Sequence, residues 1–172
     1  MNSIEKFLYL FLGIVLSVMF FKFAVVLLLG IMLLGFLRTW QMQKEPNQIM
    51  FLEGSLPNPL PDGFYQGSTG FPTSWLGKKF NAEKATGSNI VNDKKTGQIE
   101  KYPFKTYTDK GLFDKHVWVL KIDYNIKGNP FWIRWILDEI VQIAPGQYLG
   151  KMQLRIIPGF PLSVLYFELK KE

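Results

Sequence analysis

His116 is the only histidine in a chain of 172 residues that contains no cysteine. Those two counts close off most nucleophilic and metal chemistry. A Ser-His-Asp or Cys-His system would have to run through His116, and no Gly-x-Ser-x-Gly elbow or thiol is present. A metal site needs at least two further ligands at suitable spacing, and none accompanies it. His116 therefore reads as a loop histidine beside a strand. Asp138-Glu139 is the best carboxylate pair for acid–base work. Sequence neighbours, however, project in different directions on a helix or a strand, and Arg134 stands four residues before Asp138 as an i, i+4 partner. No catalytic residue, metal ligand or cofactor is expected. The turn glycines at Thr69-Gly70, Thr86-Gly87-Ser88 and Lys95-Thr96-Gly97 belong to no nucleotide phosphate loop.

What the chain does have is aromatic rings, 16% of its residues. Barrel core and interface packing use such residues, and so does a cavity for an apolar ligand. Trp75, Tyr107, Trp118, Tyr124, Tyr148 and Tyr166 are the candidate ligand-binding set. Lys121 and Asp123 join them only if the polar face of their strand lines the cavity.

These residues fall in a segment punctuated like an antiparallel β protein, with short aromatic and β-branched runs between Gly, Asn and Asp turns. Strands are predicted over 63–68, 74–80, 89–91, 100–106, 117–126, 139–143, 148–157 and 162–169. The clearest is 117–126, which alternates apolar and polar from Leu120 on, so one face should be buried and one wet. Ala144-Pro145-Gly146-Gln147 and Pro158-Gly159-Phe160-Pro161 read as turns of two hairpins. Asn129 as N-cap and Pro130 at the first helical position predict one short helix over 131–138. Its aromatics would plug a barrel end or face a bilayer. Eight short strands suggest a small closed barrel, which leaves no exposed edge; a sandwich fits the same patterning.

Gly63-Phe64-Tyr65-Gln66-Gly67 followed by Ser74-Trp75-Leu76-Gly77-Lys78-Lys79-Phe80 resembles the start of lipocalin-like (calycin) bacterial domains. The run from Asp138 to Lys151 is similar to their late hairpin, and Tyr166-Phe167-Glu168-Leu169 to the strand after it. The resemblance spans roughly 62–170, with a spacing that departs from the usual Gly-x-Trp. It implies a Trp on the first strand that seals the barrel floor, and a binding cavity with no particular ligand.

From Phe7 to Leu37 the chain is almost continuous hydrocarbon, broken by the one charge of Lys22. About 20 apolar residues cross a bilayer core of ~30 Å. The run is too long for a signal-peptide core, and no small-residue cleavage pattern follows it. An uncleaved single-pass anchor over 1–40 is expected, with Lys22 near one headgroup layer and Trp40 as an interfacial anchor. Two short spans divided near Lys22 are the alternative. Arg38 and Lys44 after the span, against Lys6 before it, incline the C-terminal domain to the cytoplasmic side.

A proline-containing linker follows over 41–61, then the β domain over 62–172. From Met50 on, sixteen Lys and Arg stand against twelve Asp and Glu, without a basic run. That argues against nucleic acid as a partner. The expected class is mainly β: a transmembrane helix followed by a small antiparallel, lipocalin-like β-barrel with one short helix. The expected partners are the lipid bilayer and a lipid-like or other apolar small molecule. Docking onto a membrane-protein partner is the alternative, and an enzyme acting on an apolar substrate inside the cavity is the third reading.

Overall fold

The computed structural model describes residues 2–157 and 159–171. The chain divides into two compact units, Met1–Leu37 and Arg38–Glu172. Helix α1 (Ser3–Met42) starts in a reciprocal cap: Glu5 N donates to Asn2 Oδ1 at 2.8 Å, and Asn2 N donates to Glu5 Oε2 at 2.9 Å. The helix runs through Lys22 without a turn, and it is long and apolar enough to cross a membrane.

The second unit is a closed barrel of eight antiparallel strands in chain order. They are β1 (Gly63–Ser68), β2 (Trp75–Asn81), β3 (Thr86–Asp93), β4 (Gly97–Lys110), β5 (Trp118–Asp123), β6 (Ile136–Ala144), β7 (Gln147–Ile157) and β8 (Phe160–Lys171). β8 closes on β1, with Gly67 opposite Leu169. Closure leaves no strand edge exposed, and it decides for the barrel over the sandwich that the same patterning allowed. Successive antiparallel strands place the β1–β2, β3–β4, β5–β6 and β7–β8 connections at one end and the other three at the opposite end. Ala144–Gln147 makes the expected turn into β7. Pro158 of the other expected turn lies outside the described residues, and Ile157 pairs with Phe160 across it.

Two apolar clusters follow from strand alternation. Inward positions contribute Tyr65, Phe80, Phe104, Leu120, Ile122, Ile140, Tyr148 and Leu169. At the end opposite the β1–β2 turn, Tyr65 lies 5.7 Å from Phe80 and 5.3 Å from Tyr148, and Phe80 lies 5.4 Å from Phe104. These tilted and edge-to-face rings plug that end. The second cluster lies on the outside of the wall, where Val119, Val141, Leu149 and Tyr166 are covered by Met42 and Phe51.

Phe51 belongs to α2 (Pro46–Glu53), which occupies part of the proline-containing segment 41–61 and packs on β6 and β7. Eight residues are too few to show a helical period, but Pro46 sits at the first turn, where its missing N–H costs nothing. After α2, Ser55 exchanges backbone hydrogen bonds with Gln142 at 3.0 and 2.7 Å, so this stretch lies along the barrel.

The short helix is smaller than its capping signals predicted. Only Ile133–Trp135 turn, as a 3-10 helix, and β6 takes over at Ile136. Ile136, Asp138 and Ile140 share the inward face of β6, so a period of two overrides a weak helix start. Asn129 does not cap; its Nδ2 donates to Pro103 O at 2.8 Å and Tyr124 O at 2.9 Å.

Candidate functional site

Inside the barrel, above the aromatic plug, is a cavity of about 310 Å³. It opens at the end formed by the β1–β2 connection, which contributes Thr69, Phe71 and Thr73 to its lining, and the β5–β6 connection, which contributes Ile133. Its walls are apolar: Trp75, Val91, Met152, Leu165 and Phe167. The volume equals about ten waters at ~30 Å³ each, at the small end of the range for ligand pockets.

Four polar side chains interrupt this lining: Lys78, Asn89, Tyr124 and Asp138. Lys78 is 2% exposed and Asp138 4%. The Lys78 Nζ has three acceptors, Asp138 Oδ2 at 2.8 Å, Asn89 Oδ1 at 3.0 Å and the Tyr124 hydroxyl. Tyr124 Oη also lies 3.1 Å from Asp138 Oδ2, to which it donates, and Trp75 Nε1 donates to Asn89 Oδ1 at 3.0 Å. Four rings surround the ammonium, those of Tyr124 and Phe167 at 5.1 Å, Trp75 at 5.4 Å and Phe104 at 5.5 Å. Cation–π attraction and the carboxylate together offset part of the loss of water. Asp138 Oδ1, fully buried, has no hydrogen-bond partner among the described residues. An orphan oxygen of this kind in an otherwise satisfied cluster requires an explanation.

Burial pulls the Lys78 pKa below its ordinary value, and the charge and hydrogen bond of Asp138 restore it only in part. The Tyr124 phenol is pushed well above 10.0, first by burial and then by the Asp138 charge. Its proton is therefore kept in the fold and lost near pH 10.0 on unfolding. Stability from this source is complete below that pH and declines above it, by at most ~1.4 kcal/mol per pH unit. Urea midpoints from about pH 8 to about pH 11 should fall less steeply for Tyr124→Phe than for the unaltered chain. Equal slopes would refute the assignment.

A bulge makes this cluster. The β2–β3 register shifts between Trp75 and Gly77. Residues three apart on a regular strand face opposite sides, yet Trp75 and Lys78 both face the cavity. The extra residue is accommodated at Gly77, whose φ is +149°.

Of the six aromatic candidates, the structure brings Trp75 and Tyr124 to the cavity. Tyr148 belongs to the plug. Tyr166 is on the outer wall, bonded to Gln48. Tyr107 is on the outer wall near Asp123 and Lys121, and Trp118 is exposed at the start of β5 with Lys110 Nζ 4.3 Å above its ring. Trp75 opens β2 and lines the cavity towards its open end, whereas the lipocalin-like resemblance implied a Trp on the first strand sealing the floor.

The predicted wet face of β5 is not wet: Lys121 is buried on the outer wall and pairs with Asp109 at 2.6 Å, and Asp123 pairs with Arg155 at 2.6 Å. Neither reaches the cavity. The Arg134–Asp138 pair does not form, because no helix holds them together; Arg134 Nε donates to Asn125 Oδ1 at 2.9 Å. Asp138 and Glu139 face opposite sides of the wall. Glu139 accepts from Leu112 N at 2.6 Å, and burial raises its pKa. His116 is exposed in the β4–β5 connection. Among the described residues no three His, Cys, Asp or Glu side chains gather as a metal site.

The sequence singles out Asp138, but beside Glu139; Lys78 and its pairing with Asp138 are absent from the sequence-derived candidates. The only local signal of the pair is Gly77 immediately before Lys78.

No family model matches this chain, and no curated protein matches it. Among solved structures it is similar to the crystal structure of a protein from Thermomonospora curvata, at 15% identity and a TM-score of 0.49, over 69% of this chain and 80% of that one.

Proposed function

We propose that this is a membrane-anchored binding module whose barrel holds one apolar molecule with a small polar end. The observation that carries the reading is the apolar cavity with the Lys78–Asp138–Tyr124–Asn89 cluster in its wall. The walls favour a hydrocarbon or ring body, at about 25 cal/mol per Å² of apolar surface removed from water. The cluster selects the polar end. The Lys78 protons are all engaged, whereas Asp138 Oδ1 lacks a donor, so a ligand hydroxyl or amide N–H suits the site better than a carboxylate once a small rotation of Asp138 turns that oxygen to the cavity. A barrel plugged at one end by aromatics and open at the other is how a lipocalin-like module would work. α1 supports the anchor by its length and composition. The cavity favours this reading over docking by a solidly packed barrel.

The test is native mass spectrometry of the full chain in detergent, before and after titration with 1-decanol. A one-to-one adduct is expected, either an apolar molecule carried through purification or the added alcohol. Met152→Trp, which fills the cavity, should abolish it while keeping the urea midpoint close to that of the unaltered chain. A bare protein that takes up no alcohol sinks the reading.

A further inference from the structure

Most of the barrel's unburied rings gather, with exposed cations, at the end where the cavity opens; Phe113 and Trp118 are the exceptions at the opposite end. Phe71 in the β1–β2 connection is 56% exposed; in the β5–β6 connection Phe131 is 61%, Trp132 55% and Trp135 40% exposed. The last three form one cluster, with Phe131 5.0 Å from Trp132 and 5.3 Å from Trp135. Rings left in water at a pocket mouth, in a barrel with an ample core of its own, mark a surface that meets something apolar.

The charges at this end are one-sided. The described residues of its connections carry Lys94, Lys95, Lys127 and Arg134, all exposed, and no acidic residue; Asp93 and Asp123 terminate the adjoining strands. Asp93 accepts from the backbone of Lys95 and Thr96, and Asp123 pairs with Arg155. At the opposite end Glu83 stands beside Lys84, and Asp114 beside Lys115. Tryptophan and phenylalanine interleaved with Lys and Arg suit the headgroup layer of a bilayer: amphipathic rings among the headgroups, cations on phosphates.

The first residues of the barrel unit lie towards this end as well. Arg38 Nε donates to Val164 O and Thr39 Oγ1 accepts from Ser163 N, both at 2.9 Å. Those β8 residues follow shortly after Phe160, which begins the strand at the cavity end.

We propose that the cavity end of the barrel seats in the headgroup layer of an anionic bilayer. Phe71, Phe131, Trp132 and Trp135 enter the interface, and Lys94, Lys95, Lys127 and Arg134 contact lipid phosphates. The mouth then faces lipid, and an amphiphile moves between leaflet and cavity without crossing water. The surface rests on the anchored half of the proposed function and not on the ligand.

The absence of cysteine gives a clean test, because one introduced thiol is the only one. The full chain carrying Trp132→Cys or, at the opposite end, Glu83→Cys is labelled with an environment-sensitive dye and reconstituted in phosphatidylcholine–phosphatidylglycerol vesicles. Quenching by lipids brominated near the headgroup is then read. A label at 132 should be quenched about threefold or more above one at 83, as for a segment lying in the interface. Replacing the four cations by Gln should reduce that contrast, each one being worth about fivefold in partitioning onto an anionic surface. Equal quenching at the two sites overturns the proposal. So does protection of position 132 in native membranes but not in pure lipid, which assigns the surface to a protein partner. Failure to float with vesicles overturns the proposal and the anchor together, whereas loss of the decanol adduct alone leaves it standing.

Discussion

Lys78→Met should destabilise the barrel by about 3–5 kcal/mol, the cost of leaving one member of a buried ion pair uncompensated. The loss follows from the position of Asp138. Its carboxylate is closed off from solvent, receives Lys78 Nζ at 2.8 Å, and already has one oxygen without a donor. Without Lys78 the remaining donor to Asp138 is the Tyr124 hydroxyl. The double variant Lys78→Met, Asp138→Leu should recover most of the loss, since well-packed apolar groups of similar volume replace buried pairs at little cost. Urea denaturation of the two variants measures both effects. A double variant no better than Lys78→Met would mean that the pair does not act as a unit. The recovered barrel should nevertheless lose its preference for a ligand with a hydrogen-bond donor, because the cavity would be apolar throughout. The pair is thus poor as a source of stability, which agrees with the proposal that it selects the polar end of a ligand.

How far the sequence displays all this depends on the kind of order involved. The strands are legible because alternation, β-branched residues and Gly/Pro turns repeat along the chain, and eight antiparallel strands invite closure. Trp75 and Tyr124 are legible as large rings that a barrel interior must place somewhere. The polar cluster is not, because Lys78 and Asp138 lie sixty residues apart, and each has a closer charge, Lys79 or Glu139, that makes it resemble an ordinary exposed face. The burial of Lys121 is hidden for another reason. Alternation shows that two faces differ, but not that α2 and the β4–β5 connection cover the outer one. α2 leaves little trace in a stretch of eight residues, and the helix over 131–138 is over-read because a capping signal does not report the strand that follows it.

Gly77→Ala should cost about 3–5 kcal/mol, combining strain at a backbone angle that L side chains avoid with overpacking against a neighbouring strand. The φ of +149° alone would be a modest penalty. The larger part comes from space: a methyl on Gly77 would overlap the Tyr65 carbonyl oxygen, with the Gly67 nitrogen also too close at 2.9 Å. Both are backbone atoms of β1, so relief requires β1 and β2 to separate or the bulge to disappear. Removing the bulge restores strict alternation, and Trp75 and Lys78 can then no longer both face inward. Either route disturbs the cavity, so the emission of Trp75 should shift to the red in Gly77→Ala, read against a Trp75→Phe background. Gly97→Ala is the control, because Gly97 also has a positive φ, +77°, with open space around it. It should cost only about 1 kcal/mol and leave Trp75 emission unchanged. If the two glycines prove equally tolerant, the bulge does not set the direction of Lys78. A large loss at Gly77 alone makes this one backbone irregularity the reason that a lysine sits beside an apolar cavity.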